Sequence, residues 1–150
     1  LQIYKYYKVI MMTTAQVSQY LKAKGIRPSA QRIAIMRYLM EHPVHPTAEN
    51  IYDALMPDMP SLSLTTVYNT LNCLVSSGIG VERLNSDPRN ARFDFVDTPH
   101  AHMYCRCCGA VMDLPLDAVT FAGMSPDGDF HVEQIELCYR GLCSKCHDKM

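Results

Sequence analysis

The sequence predicts an α+β fold of two modules, a winged helix followed by a smaller module of short strands that a structural zinc site closes. Three features predict this fold. Four amphipathic segments occupy the first half, two strand-like runs joined by a turn follow them, and two CxxC units lie in the second half. With 150 residues the chain is long enough for one ordinary domain or two small ones.

Four helices are predicted in the first module. They cover Thr13–Lys24, a segment capped by Ser29 that includes Met40, Ala48–Leu55 after the capping residue Thr47, and Leu64–Ser77 after the capping residue Ser63. In the fourth helix, apolar residues recur at spacings of three and four and define a buried face. The residues that face away from it are polar, namely Thr65, Thr66, Tyr68, Asn69 and Asn72.

Strand-like runs are predicted at Ile79–Leu84 and Ala91–Val96, and the turn-rich residues 85–90 join them as a hairpin. A hairpin that follows helices favours a winged helix. We interpret residues 97–99 (Asp-Thr-Pro) as a hinge. In the second module we expect strands near Met103–Cys105 and Val111–Leu114, a helix at Leu116–Phe121 and a longer strand at His131–Tyr139.

Charge is unevenly divided between the two modules, although the net charge is only −1. Residues 1–96 carry ten Lys or Arg against seven Asp or Glu, whereas residues 97–150 carry four against eight. This division indicates two modules with different partners, but an imbalance this small also arises by chance.

The first twelve residues, LQIYKYYKVIMM, are interpreted as an upstream extension and left out of the fold. They are too short and too rich in tyrosine for a secretory signal peptide. No apolar run reaches the roughly 18 residues that a membrane span needs. We therefore expect a cytoplasmic protein without a membrane partner, in which clustered cysteines bind metal rather than form disulfides.

The two CxxC units predict a closed, four-thiolate zinc site, because each unit can present two sulfurs to one tetrahedral ion from a tight turn. The predicted ligands are Cys105, Cys108, Cys143 and Cys146. Gly109 favours Cys108 over Cys107, since the knuckle turn needs a residue that tolerates positive φ. Buried free thiols and a redox disulfide are the alternatives. Cys73 is expected in the core, and Cys138 has no partner that the sequence identifies.

A second metal site is indicated just before the first knuckle. His100 and His102 point to one face of a strand, so both imidazoles can converge on one ion. Asp94, Asp113 and His45 are further candidates, although spacing alone does not join His45 and Asp94 to the pair. Nitrogen and carboxylate ligands suit Fe(II), Mn(II) or Zn(II) and disfavour Cu(I). Taken singly, each is more often a solvated or hydrogen-bonded side chain.

Enzyme functions are not favoured. A zinc hydrolase or deaminase needs an open metal position and a general base, but the four-thiolate site is closed and no Glu flanks the His pair. A redox-active CxxC protein needs a βαβ setting that is not recognisable around Cys105.

Several ordered motifs between Thr13 and Cys146 resemble the ferric uptake regulator family. They are HPTAENIYDAL from His45, SLSLTTVYNTLNCLVSSGI from Ser61, ARFDF from Ala91, HAHMYCRCCG from His100 and YRGLCSKC from Tyr139. The resemblance implies a winged-helix DNA-binding domain at 13–96, a hinge at 97–99 and an α/β dimerisation domain at 100–150. It implies structural Zn(II) on the four cysteines. It also implies one regulatory site for Fe(II) or Mn(II), with the ligands His45, Asp94, His100, His102 and Asp113.

Within that family the chain is most similar to the peroxide-sensing (PerR) branch. Asp94 stands where iron and zinc sensors usually carry Glu, and Asn69 stands where iron sensors usually carry Arg. A further metal site of iron sensors is missing, since its positions are Pro99, Ala101 and Gln134 here. An iron- or manganese-responsive repressor without oxidant sensing is the alternative.

The resemblance implies a homodimer that binds a palindromic operator in double-stranded DNA and releases it when a ligand histidine is oxidised. His45 and His100 are the candidates for oxidation. Base contacts are expected from the start of the fourth helix, at Thr65, Thr66, Tyr68 and Asn69. Phosphate contacts are expected from five arginines, namely Arg27, Arg32, Arg83, Arg89 and Arg92.

Overall fold

The computed structural model describes residues 12–84, 90–96, 98, 100–117, 120, 123–124, 128–132 and 135–149. The chain divides into two compact units, Leu1–Phe95 (unit 1) and Val96–Met150 (unit 2). Some predicted features lie outside the described residues. They are the extension up to residue 11, the turn at 85–89 with Arg89, the hinge residues Asp97 and Pro99, Gln134, and much of the helix expected at Leu116–Phe121.

Unit 1 begins with four helices: α1 (Thr14–Ala23), α2 (Ala30–Glu41), α3 (Ala48–Leu55) and α4 (Leu64–Ser76). Each starts after a Ser or Thr whose side chain accepts a hydrogen bond from the main-chain N–H three residues on. The predicted caps Ser29, Thr47 and Ser63 are thereby confirmed. This cap satisfies one of the N–H groups that the first helical turn leaves without a partner.

A two-stranded hairpin completes unit 1, as the sequence predicts. Strands β1 (Val81–Leu84) and β2 (Arg92–Phe95) are antiparallel, with Val81 opposite Phe95 and Leu84 opposite Arg92. Both strands are shorter than expected. Met12 belongs with this unit rather than with the extension, because it packs half-buried against the core.

The core of unit 1 draws on all four helices and both strands. Its fully buried members include Val17, Leu21, Ile35, Met36, Ile51, Val67, Leu71, Leu74, Ile79 and Phe93. Val67, Leu71 and Leu74 come from one face of α4 at spacings of three and four, as predicted. Burying that face fixes the rotation of α4 and leaves Thr65, Tyr68, Asn69 and Asn72 in solvent.

Unit 2 contains a three-stranded sheet with the order β4-β3-β5. Strand β3 (His100–Cys105) lies in the centre, antiparallel to β4 (Val111–Pro115) and parallel to β5 (Cys138–Gly141). A short helix, α5 (Ser144–His147), follows. The prediction of a long strand at His131–Tyr139 is wrong in its bounds, since residues 131–132 and 135–137 are not in a strand. No helix among the described residues is long and apolar enough to cross a membrane.

Candidate metal centres and DNA-binding surface

Four cysteines of unit 2 meet at one end of its sheet. Cys105 ends β3, Cys108 lies in the turn that follows, and Cys143 and Cys146 flank the start of α5. Their four sulfurs lie within 4.8 Å of one another. Gly109 closes the turn with a φ of 72°, the left-handed conformation that the sequence predicts for the knuckle.

The geometry of these sulfurs fits a tetrahedral zinc ion. Zn–S bonds of about 2.3 Å place two sulfurs about 3.8 Å apart in a regular tetrahedron. The sulfurs of Cys108 and Cys143 are 3.8 Å apart. Four thiolates leave zinc no open position, so the arrangement suits a structural site that joins the C-terminal helix to β3.

Main-chain amides prepare one of the ligands for zinc. N–H groups of Cys108, Cys143 and Cys107 point at the sulfur of Cys105 and lower its pKa to about 6, with that of Cys108 contributing most. The N–H of Cys143 lies 3.3 Å from the sulfur. In contrast, hydrogen bonding with the Cys143 thiol raises the pKa of Cys146. These amides favour the thiolate form of Cys105, which is the form that binds zinc.

A second group of donors in unit 2 lies on the neighbouring strands β3 and β4. The Nε2 atoms of His100 and His102 are 3.1 Å apart, and Oδ1 of Asp113 lies 3.6 Å from the first and 3.7 Å from the second. His102 is paired with Asp113 in the sheet register, which explains why the three side chains share one face. We call this group the donor triangle.

The donor triangle has the dimensions of a metal site. A point equidistant from its three corners lies about 2.0 Å from each, and bonds from divalent zinc to His or carboxylate ligands are about 2.0–2.2 Å long. Three donors would leave an ion there with positions for further ligands. The chemistry of the donors, two imidazoles and a carboxylate, suits Fe(II), Mn(II) or Zn(II).

His100 is also held in the orientation that a ligand needs. Its Nδ1 lies 2.9 Å from the carbonyl oxygen of Thr98. A proton on Nδ1 that is donated to this carbonyl leaves the lone pair of Nε2 directed into the triangle.

Unit 1 contains the other two predicted ligands, His45 and Asp94. Both side chains are buried, and Nε2 of His45 lies 4.0 Å from Oδ1 of Asp94. Asp94 comes from β2, whereas His45 lies in the loop before α3. The main chain of His45 has a φ of 51°, the only positive value among the described residues other than glycine.

The His45 loop is tied to β2 by contacts that the sequence does not reveal. The guanidinium of Arg92 donates to the carbonyl of His45 at 2.9 Å, and the N–H of Phe93 donates to the carbonyl of Pro46 at 2.9 Å. Thr47 and Arg92 form an isolated antiparallel bridge. These contacts bring together, within unit 1, two predicted ligands that spacing alone could not join.

Helix α4 presents the polar surface predicted to contact DNA. Thr65, Asn69 and Asn72 are exposed, and the hydroxyl of Thr66 lies 2.8 Å from that of the cap Ser63. The phenol of Tyr68 donates to the Glu49 carboxylate at 2.7 Å. This bond lowers the pKa of Glu49 and raises that of Tyr68.

The predicted phosphate-binding arginines differ in their surroundings. Arg27 and Arg83 are exposed. Arg32, half-buried, donates to the carbonyl of Arg27 at 2.8 Å, and Arg92 donates to His45 as described above. Arg89 lies outside the described residues. Two of the five side chains therefore bind main-chain oxygens within unit 1.

The remaining cysteines are distributed as follows. Cys73 packs half-buried against the core of unit 1, as predicted. Cys107 and Cys138 are exposed.

Comparison with known proteins finds relatives of one family, by sequence and by structure. Residues 23–138 match the ferric uptake regulator family. The peroxide-responsive repressor PerR of Staphylococcus aureus is 37% identical over 131 residues, which cover 86% of this chain and 88% of that protein. Among solved structures, PerR from Streptococcus pyogenes is 32% identical to this chain, with a TM-score of 0.50. The match covers 89% of this chain and 92% of that one, and that structure is described as a basis for peroxide sensing and gene regulation. The ferric uptake regulator of Pseudomonas aeruginosa with manganese is 26% identical with a TM-score of 0.71, covering 85% and 97%.

Proposed function

This chain belongs to the ferric uptake regulator family, whose members are transcriptional regulators rather than enzymes, and we propose that it is a metal-dependent repressor that releases DNA in response to peroxide. The observation that carries the proposal is the donor triangle of His100, His102 and Asp113. A site of nitrogen and oxygen donors binds Fe(II) or Mn(II) exchangeably, whereas the four thiolates retain zinc.

We propose that His45 and Asp94 of unit 1 complete the coordination of the ion that the triangle holds. The triangle supplies three donors, fewer than the five or six that Fe(II) and Mn(II) commonly take in proteins. His45 and Asp94 lie close together and are of the same chemical type. One ion with ligands from both units would favour a single arrangement of the two units over others.

Helix α4 would read the operator. Its exposed residues Thr65, Asn69 and Asn72 are short and carry hydrogen-bonding groups, which suits contact with base edges in the major groove. Arg27 and Arg83 are exposed and available to phosphates. With a net charge of −1, one chain has little electrostatic attraction for DNA, so we propose that two chains bind a palindromic site together.

Peroxide sensing would modify a ligand side chain. An iron ion held by these ligands would supply the one-electron chemistry that activates peroxide, which Mn(II) would supply far less readily. A C–H bond of the His45 or His100 imidazole would become a C–OH bond: the O–O bond of peroxide breaks, one oxygen enters the ring and the other leaves as water. The imidazole loses the two electrons that peroxide gains, so the ion would end in the oxidation state in which it began. An oxidised ring is a poorer ligand, and the preferred arrangement of the units would be lost with it. The similarity to PerR of Staphylococcus aureus supports this part of the proposal.

The test is DNA binding by the zinc-loaded protein in Fe(II) or Mn(II), before and after peroxide. We expect both ions to promote binding to a palindromic duplex and peroxide to abolish it only with Fe(II). Binding that persists in Fe(II) after peroxide would indicate an iron- or manganese-responsive repressor without oxidant sensing. Binding that requires no added ion would contradict the metal-dependent function.

Peptide mapping identifies the oxidised residue. We expect one added oxygen on the peptide that contains His45 or His100, and none after treatment in Mn(II). Oxidation confined to cysteine peptides would instead indicate a thiol switch at the four-thiolate site.

A further inference from the structure

We propose that Arg92 is a positioning residue for the metal ligand His45, and that it does not serve as a phosphate contact of the wing. Its guanidinium donates to the carbonyl of His45 at 2.9 Å, and its main chain pairs with Thr47. The expected effect of Arg92 on metal affinity rests on the proposed function, whereas its expected effect on the His45 loop does not.

His45 has a main-chain conformation that its sequence disfavours. A φ of 51° is uncommon for any residue with a Cβ atom. The residue before a proline is in addition restricted to extended conformations, and Pro46 follows directly. Conformations of this kind persist where surrounding contacts determine them, and they concentrate at functional sites.

The contacts that determine this conformation come from β2. Arg92 and Phe93 bind the carbonyls of His45 and Pro46, so two consecutive residues of the strand hold two consecutive residues of the loop. Because the donor of the first bond is a charged guanidinium, that bond is stronger than one between neutral groups. Asp94 follows in the same strand. One short strand therefore supplies a ligand and also sets the backbone of the second ligand.

The same contacts argue against a role for Arg92 on DNA. Its side chain is half-buried and directed to a main-chain oxygen, whereas Arg83, on the partner strand of the hairpin, is exposed. The two arginines thus form a matched pair within one hairpin. Replacing Arg92 should change metal affinity, whereas replacing Arg83 should change the salt dependence of DNA binding.

The first experiment examines the His45 loop in zinc-loaded protein without a regulatory ion. In Arg92→Ala, we expect amide hydrogen exchange at Phe93 to become about ten-fold faster while amides of α4 are unchanged. Unchanged exchange at Phe93 would overturn the proposal, whether or not the protein binds a regulatory ion. Unchanged exchange in α4 excludes general unfolding as the cause.

The second experiment measures Mn(II) affinity by electron paramagnetic resonance. It also measures the salt slope of DNA binding in saturating Mn(II), which is the change in the logarithm of DNA affinity with the logarithm of salt concentration. Replacing a residue that orients a metal ligand typically changes metal affinity ten- to a hundred-fold. We therefore expect Arg92→Ala to weaken Mn(II) binding about ten-fold and to leave the salt slope of DNA binding unchanged. Arg83→Ala should keep the Mn(II) affinity and lower the salt slope by about one. Arg92→Lys, which retains the charge without the planar fork, should remain weaker than wild type in Mn(II).

An Arg92→Ala protein with wild-type Mn(II) affinity, or one whose salt slope falls as in Arg83→Ala, would overturn the assignment. Failure of the wild type to bind Mn(II) would count against the proposed function, and the exchange measurement would then decide the positioning of the His45 loop by itself.

Discussion

Replacing Asp113 by Asn removes a charge from the donor triangle while keeping the shape of the side chain. Oδ1 of Asp113 is the only oxygen of the triangle and lies at nearly equal distances, 3.6 and 3.7 Å, from the two imidazole nitrogens. The amide retains one oxygen but no formal charge, and it binds a divalent cation less strongly than a carboxylate does.

The size of the effect follows from the position of Asp113. Residues that only orient a metal ligand change metal affinity by ten- to a hundred-fold. Asp113 lies at a corner of the triangle, about 2.0 Å from the point that an ion would occupy, so it should exceed that range. We expect Mn(II) affinity to fall by at least about 100-fold, or about 2.8 kcal/mol.

Mn(II) titration followed by electron paramagnetic resonance measures this change, and metal analysis reports zinc in the same samples. Zinc content should remain at one ion per chain, since the four sulfurs form a separate group. Asp117→Asn is the matched control, because Asp117 is an exposed acid that accepts hydrogen bonds from Thr120 and lies outside the triangle. Mn(II) binding within a factor of three of wild type in Asp113→Asn would show that the Asp113 carboxylate is not a ligand of the ion.

Two further predictions concern stability. Cys146→Ser should release zinc and unfold unit 2, because structural zinc contributes folding energy directly. Metal analysis and NMR of the variant measure zinc content and folding, and a folded, zinc-free unit 2 would contradict this expectation. Leu71→Ala, at a fully buried position of α4, should cost unit 1 about 3 kcal/mol and lower its thermal midpoint by roughly 15 °C, with zinc content unchanged.

The parts of the fold that local chemistry determines could be predicted from the sequence. The caps Ser29, Thr47 and Ser63 act within three residues, and α4 buries the face that its spacing indicates. The zinc knuckle is local in the same sense, since Gly109 and the CxxC spacing fix the turn. These features depend on neighbours in the sequence, which a sequence shows directly.

Features set by distant contacts were missed or only partly predicted. The alternating pattern of 131–139 predicts a strand, but parallel pairing with the central strand β3 places it at Cys138–Gly141. His45 and Asp94 are 49 positions apart, and no local pattern indicates that the Arg92 side chain and the Phe93 amide hold the His45 loop beside them. Resemblance to a family joined these two residues in the predicted site, where spacing could not.

We propose that nitrogen donors of both units bind a single ion, so three imidazoles should surround it. Pulsed electron paramagnetic resonance of bound Mn(II), in protein with ¹⁵N-labelled histidine, counts the imidazoles in its coordination sphere. We predict three in the wild type, from His45, His100 and His102, and two in His45→Ala. Two imidazoles in both proteins, with equal Mn(II) affinity, would show that His45 does not bind the ion and would contradict the proposed coordination.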